Sequence, residues 1–204
     1  MGLVALLRDR RADAVILPVL VLGILVPYAA VSFSIAFPAI STDLGLSAVH
    51  VTWMPTAYLI AGAVVGLPVG RVARCIGNRN AMLAGIASYC AAAGGVAVAG
   101  DFQLLVLGFF VMGKGSSVIT VTGQSLLYVV CDAEERETSY AALFTAISLG
   151  TLAGDFLGGA VIHFLSWRWL FGINTVLGAA CLVPLMANTQ PGEGDRSEKG
   201  FDLL

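Results

Sequence analysis

The stretch Leu149-Gly150-Thr151-Leu152-Ala153-Gly154-Asp155-Phe156-Leu157-Gly158-Gly159 sets a glycine at every fourth position of an apolar run. At 3.6 residues per turn, Gly150, Gly154 and Gly158 share one face of a helix and form a ridge where another backbone can approach closely. The same spacing occurs earlier in the chain, at Gly62, Gly66 and Gly70. Two ridged helices in equivalent places predict two three-helix units related as an inverted repeat.

Working outward from that stretch, runs long enough to span a bilayer, at least about 18 residues, fall at roughly 14–37, 51–72, 80–100, 103–127, 138–162 and 167–187. The breaks between them are short and polar. They are Ser41-Thr42-Asp43, Arg71 to Asn80, Asp101, Asp132 to Thr138 and Ser166 to Arg168. The expected fold is an all-α membrane protein, a bundle of six transmembrane helices of 3+3 inverted-repeat type. Composition agrees: the 204 residues are 58% hydrophobic and 12% charged, against about 25% charged in soluble domains.

The charges Arg8, Asp9, Arg10, Arg11 and Asp13 precede an apolar run of more than 20 residues. That is too long for the h-region of a secretory signal, about 7–15 residues. Basic residues in short loops set orientation. With residues 1–13 as a cytoplasmic segment, the inner side collects Arg8, Arg10, Arg11, Arg71, Arg74, Arg79, Arg136, Arg196 and Lys199, and the outer side only Arg168. Both termini are therefore expected in the cytoplasm, and the cell membrane is the expected location. Residues 188–204, rich in Gly and charge, read as a cytoplasmic linker toward a further span. Trp53 and Trp167 fall at the outer surface, where interfacial anchoring is the default.

A net charge of −2 gives no reason to expect a nucleic-acid partner. Cys75, Cys90, Cys131 and Cys181 are scattered singly, as small apolar packing residues, and no metal site is expected. No Walker phosphate loop is present, so ATP hydrolysis and cofactors are not expected. His50 and His163 are far apart and no carboxylate pair shares a helix face, which argues against an enzyme.

Two charges lie well inside spans: Lys114, between Gly113 and Gly115, and Asp155. Alone at the bilayer centre each costs about 2.5–3.5 kcal/mol on an insertion scale. Measured from the turn joining the fourth and fifth spans, their depths differ by roughly 6 Å. A Lys114–Asp155 ion pair facing the interior is therefore expected, either as mutual neutralisation or as a proton or substrate switch. Ser117 and Gln124 on the fourth span, with Ser148 and Thr151 on the fifth, extend polar stripes as candidate cavity lining.

Several segments resemble the Major Facilitator Superfamily, and within it the fourteen-span drug:proton antiporter branch of multidrug exporters. These are Trp167-Arg168-Trp169-Leu170-Phe171-Gly172-Ile173-Asn174, similar to the WRWxFxxN opening of helix six, Phe37-Pro38-Ala39-Ile40 with Asp43-Leu44, Trp53 with Thr56-Ala57-Tyr58-Leu59, Leu67-Pro68-Val69-Gly70-Arg71, and the glycine stretch of the fifth span, similar to the antiporter motif. The closing Phe201-Asp202-Leu203-Leu204 resembles the segment introducing a seventh span. The resemblance implies the N-terminal six-helix half of a secondary transporter. Such a half needs a second six- or eight-helix half, from the same gene, another chain or a homodimer. The implied partners are the lipid bilayer and a small-molecule substrate, amphipathic or cationic.

The departures from that pattern are specific. The loop Gly70 to Arg79 carries Arg74 where the family places Asp, leaving Arg71, Arg74 and Arg79 as a purely basic inner gate. Phe109 stands where the family carries Arg, and Ala29 where this branch often carries Asp; both are positions associated with proton coupling. Asp155 replaces the Pro of the antiporter motif. These losses keep an alternative open, a non-transporting membrane subunit that scaffolds or regulates a partner.

Overall fold

A computed structural model describes residues 10–188. They form six helices: α1 (Arg10–Leu44), α2 (Ala48–Ile76), α3 (Asn78–Ala97), α4 (Phe102–Val130), α5 (Ala133–Phe164) and α6 (Trp167–Asn188). All six are long and apolar enough to cross a membrane. The expected end segments, 1–13 and 188–204, lie outside the described residues, save for positions 10–13 and 188, which belong to α1 and α6.

The helices start and stop for local reasons. Ser47 caps α2, its hydroxyl accepting from His50 N, and Asp101 caps α4, its carboxylate accepting from Leu104 N at 2.7 Å. Proline at Pro18, Pro27, Pro38, Pro55, Pro68 and Pro184 lies within helices, as membrane helices tolerate when neighbours re-satisfy the backbone. The expected loop from Arg71 to Asn80 is helical apart from Gly77, the single residue between α2 and α3. Its φ of 86° is one that L side chains rarely adopt. Gly77→Val is expected to destabilise the bundle by about 1–3 kcal/mol, read as a lowered melting temperature in detergent.

The glycine ridges decide which helices touch. A Cβ on Gly150 would overlap the Ile24 carbonyl of α1; one on Gly154 would lie 2.8 Å from Tyr28 O, and one on Gly158 2.7 Å from Ser32 Oγ. Ser32 Oγ donates to Gly154 O at 3.2 Å. The α5 ridge thus lies along Ile24, Tyr28 and Ser32, residues with the same four-residue spacing. The α2 ridge meets α4 instead: a Cβ on Gly62 would lie 3.4 Å from Gly113 O, and one on Gly66 2.8 Å from Ser117 Oγ. A Cβ on Gly70, expected to complete that ridge, would meet nothing within 4 Å. Packing of α5 on α1 and of α2 on α4 is the exchange that an inverted repeat of α1–α3 with α4–α6 requires.

The third helix of each unit follows the same exchange. Helix α3 packs on α4 and on α6, and α6 packs on α1 and on α3. Arg168, second residue of α6, donates from Nη2 to Ala99 O just past the end of α3, at 3.4 Å. Arg79, second residue of α3, donates from Nη2 to Met186 O near the end of α6, at 3.0 Å. Each arginine thereby ties the first turn of its own helix to the far part of the other's chain segment, a pair of reciprocal contacts.

Between α1, α4 and α6 sits an aromatic core. Phe33 stacks on Phe171 with centroids 4.5 Å apart, and Phe109 meets both edge-on at 5.5 and 5.7 Å. Trp167 joins at 5.9 Å from Phe171. Trp167 is only 3% exposed, so it is a core residue and not the interfacial anchor expected of it. Trp53 and Trp169 remain exposed.

Candidate functional site

Helix α4 lies between two grooves, and the sequence explains why. Its Gly113 contacts the Tyr58 carbonyl of α2, and its Gly115 contacts α3, where a Cβ would lie 3.0 Å from Gly85 O. These glycines point in directions roughly 200° apart on the helix. Other faces of α4 look toward α1 and α5 and toward the gap between α2 and α3.

The first groove, about 220 Å³, runs between α1, α4 and α5. Val19, Val26 and Pro27 form one wall, Leu143 and Ile147 another, and Ile119, Thr120, Gly123 and Gln124 the floor. Thr120 Oγ1 donates to Ser116 O at 2.9 Å, which keeps its hydroxyl on its own helix. The Gln124 carbonyl accepts from Tyr140 Oη of α5 at 3.1 Å, tying the two helices near that end. An apolar cleft with few polar groups is the usual form of a small-molecule site.

Of the four expected lining residues, only Gln124 is in this groove. Ser117 faces Gly66 of α2. Ser148 and Thr151 return their hydroxyls to Phe144 O and Ile147 O at 2.9 and 3.0 Å, within α5. Thr120 was missed, although its i, i+4 relation to Gln124 puts both on one face.

The Lys114–Asp155 pair is not formed, and both residues are exposed on their helices. The turn joining α4 to α5 suggested a packed hairpin, but α5 lies along α1, and α4 against α2 and α3. Lys114 enters the second groove, between α2, α3 and α4. Asp155 stands about 100° around α5 from Gly154, on an open face shared with Thr145, Ser148 and Leu152. Among the described residues Arg168 and Asp43 form an ion pair, with Nη1 2.6 Å from Oδ2. Trp167 Nε1 donates to the same oxygen at 3.1 Å, and the Arg168 guanidinium lies 4.3 Å above the Trp167 ring. The start of α6 is thereby fastened to the end of α1.

The basic gate is also rearranged. Arg71 and Arg74 are exposed on the last turns of α2, and Arg79, on the first turn of α3, reaches α6, so the three stand on helices and not in one loop. On α5, Arg136 Nε donates to Tyr128 O and Cys131 O at 3.1 and 3.2 Å and covers the Tyr128 ring at 3.8 Å. Glu134, Glu135 and Glu137 are exposed. Phe109 and Ala29, where the resemblance places coupling charges, are 1% and 0% exposed and packed in the apolar core.

Comparison with known proteins agrees with this architecture. The chain is 31% identical over 180 residues to the lincomycin resistance protein of Streptomyces lincolnensis, covering 88% of this chain and 37% of that protein. It is 26% identical over 170 residues to the tetracenomycin C resistance and export protein of Streptomyces glaucescens, covering 83% and 32%. The chain thus spans about a third of the length of these relatives. In fold it resembles a crystal structure of a D-xylose-proton symporter, with a TM-score of 0.75 at 14% identity, over 89% of this chain and 49% of that one. Residues 19–201 match the family profile described as Major Facilitator Superfamily. With six membrane-length helices in a 3+3 inverted repeat and that match over most of its length, the chain belongs to the Major Facilitator Superfamily.

Proposed function

We propose that this chain forms one six-helix half of a secondary transporter of drug-exporter type, moving small amphipathic or cationic compounds outward by alternating access. The observation that carries this reading is the apolar α1/α4/α5 groove with a Gln124 amide at its floor, in a bundle whose relatives include resistance and export proteins. A second half, of six or eight helices, would close over the open faces of α2 and α5, where Leu59, Val64, Leu67, Leu152 and Phe156 are exposed. In this reading the ends bearing Arg71, Arg74, Arg79 and Arg136 face the cytoplasm, by the excess of basic residues there. Asp155, on the open face of α5, is the group proposed to face a cationic substrate or exchanged proton.

Proteoliposomes containing the chain with its completing half, loaded with the fluorescent cation ethidium and given an imposed proton gradient, test the proposal. Gradient-dependent flux is expected, reduced at least about tenfold in Asp155→Asn and about two- to tenfold in Gln124→Leu, the ranges for losing a charged or a neutral hydrogen-bonding group. Flux indifferent to the gradient and to both substitutions would favour the second reading, a non-transporting membrane subunit. The apolar packing of Phe109 and Ala29 speaks for that alternative.

A further inference from the structure

We propose that the groove between α2, α3 and α4 is a binding site for a single-chain amphipathic acid, one carboxylate on an elongated apolar body, with Lys114 as its charge partner. This site is separate from the α1/α4/α5 groove, and the proposal does not depend on transport.

The groove has a volume of about 380 Å³, within the range of ligand sites. Val65, Pro68 and Val72 line one side, Ala84 and Ser88 the other, and Lys114 and Val118 the floor. No Asp or Glu lines it. Lys114 lies two residues, about 3 Å, from the midpoint of α4. It is therefore too deep for its side chain to reach either membrane surface. Its direction is fixed by the glycines on either side, Gly113 against the Tyr58 carbonyl and Gly115 against Gly85 O and Tyr89. Rotating α4 to take Lys114 out of the groove would break both contacts. An ammonium held without an ion-pair partner in an aliphatic groove calls for an anion to neutralise it.

Shape and charge narrow the ligand further. From Val65 to Ile76 the α2 wall is about 16 Å long, running from the depth of Lys114 to the turn at Gly77. Arg71 stands exposed on the last turns of α2 at that end. The Lys114 charge at the floor, with no carboxylate in the lining, disfavours a cation and attracts an anion. The aliphatic walls offer no aromatic face for a cation either.

The test uses the full chain purified in maltoside micelles, with tritiated dodecanoate as probe and unlabelled dodecanoate, dodecanol or phosphatidylglycerol as competitors. Saturable binding is expected, with dodecanol competing at least about tenfold more weakly than dodecanoate. Lys114→Met should weaken binding at least about tenfold and Lys114→Arg should restore most of it. Ala84→Phe, which fills the groove and leaves the charge, should weaken binding as well. Non-saturable uptake, equal competition by dodecanol, or undiminished binding in Lys114→Met would overturn the proposal. Equal displacement by phosphatidylglycerol would overturn the assignment to a single-chain acid. Should Lys114→Met fail to fold, unchanged binding in Ala84→Phe overturns the proposal and weakened binding supports it.

Discussion

Gly150→Leu is expected to leave little folded protein, whereas Gly70→Leu is expected to melt close to the parent. Both glycines belong to four-residue ridges of identical spacing, yet only Gly150 is pressed against a backbone, the Ile24 carbonyl of α1. Overpacking by a side chain typically costs about 1–3 kcal/mol and more when the neighbour cannot yield. A carbonyl inside a membrane helix cannot yield without moving the helix. Separating α5 from α1 would also break the Ser32–Gly154 hydrogen bond and open the contacts at Tyr28 and Ser32. Total stabilities of about 5–15 kcal/mol leave little reserve for such a loss. Thermal unfolding in detergent, with size-exclusion of the survivors, measures the difference. Parent-like melting of Gly150→Leu would contradict the α1–α5 interface described above.

The second large effect concerns Phe109. Restoring the family's charge with Phe109→Arg is expected to unfold the bundle, not to restore coupling. The ring is 1% exposed and wedged between Phe33, Phe37 and Phe171. Phe109→Ala alone should cost about 3–5 kcal/mol through the cavity it leaves. An unpaired guanidinium in the same place adds its desolvation, several kcal/mol more. The ordering of melting temperatures is therefore parent, then Ala, then Arg. A folded Phe109→Arg protein with gradient-driven flux would instead show that the position still accommodates a coupling charge.

These cases also show what the sequence could and could not reveal. Hydropathy located all six spans, because a bilayer demands apolar runs of fixed length. The glycine ridges correctly announced close helix contacts and the inverted repeat. They did not say which helix each ridge would meet, since a ridge records only that a neighbour is near. The expectation that α4 packs on α5 came from their short connection, and it led to the Lys114–Asp155 pair. The glycines flanking Lys114 held the better clue: two small residues on opposing faces of α4 meet α2 and α3 and turn the lysine between them. Trp167 was misplaced for a similar reason. Its position at a helix start suggested a surface anchor, but its ring packs on Phe171 in the core while its indole nitrogen reaches out to Asp43, more than a hundred residues earlier.

The two reciprocal arginines bear on the order of assembly. Arg79 appears early in synthesis, but its acceptor at Met186 belongs to the sixth helix. The carbonyl at Ala99 likewise waits for Arg168. Neither contact can form before α6 is made, so a nascent chain halted after α3 or even after α5 lacks both. The arrival of α6 forms both contacts together, which makes the sixth span the step that commits six inserted segments to one bundle.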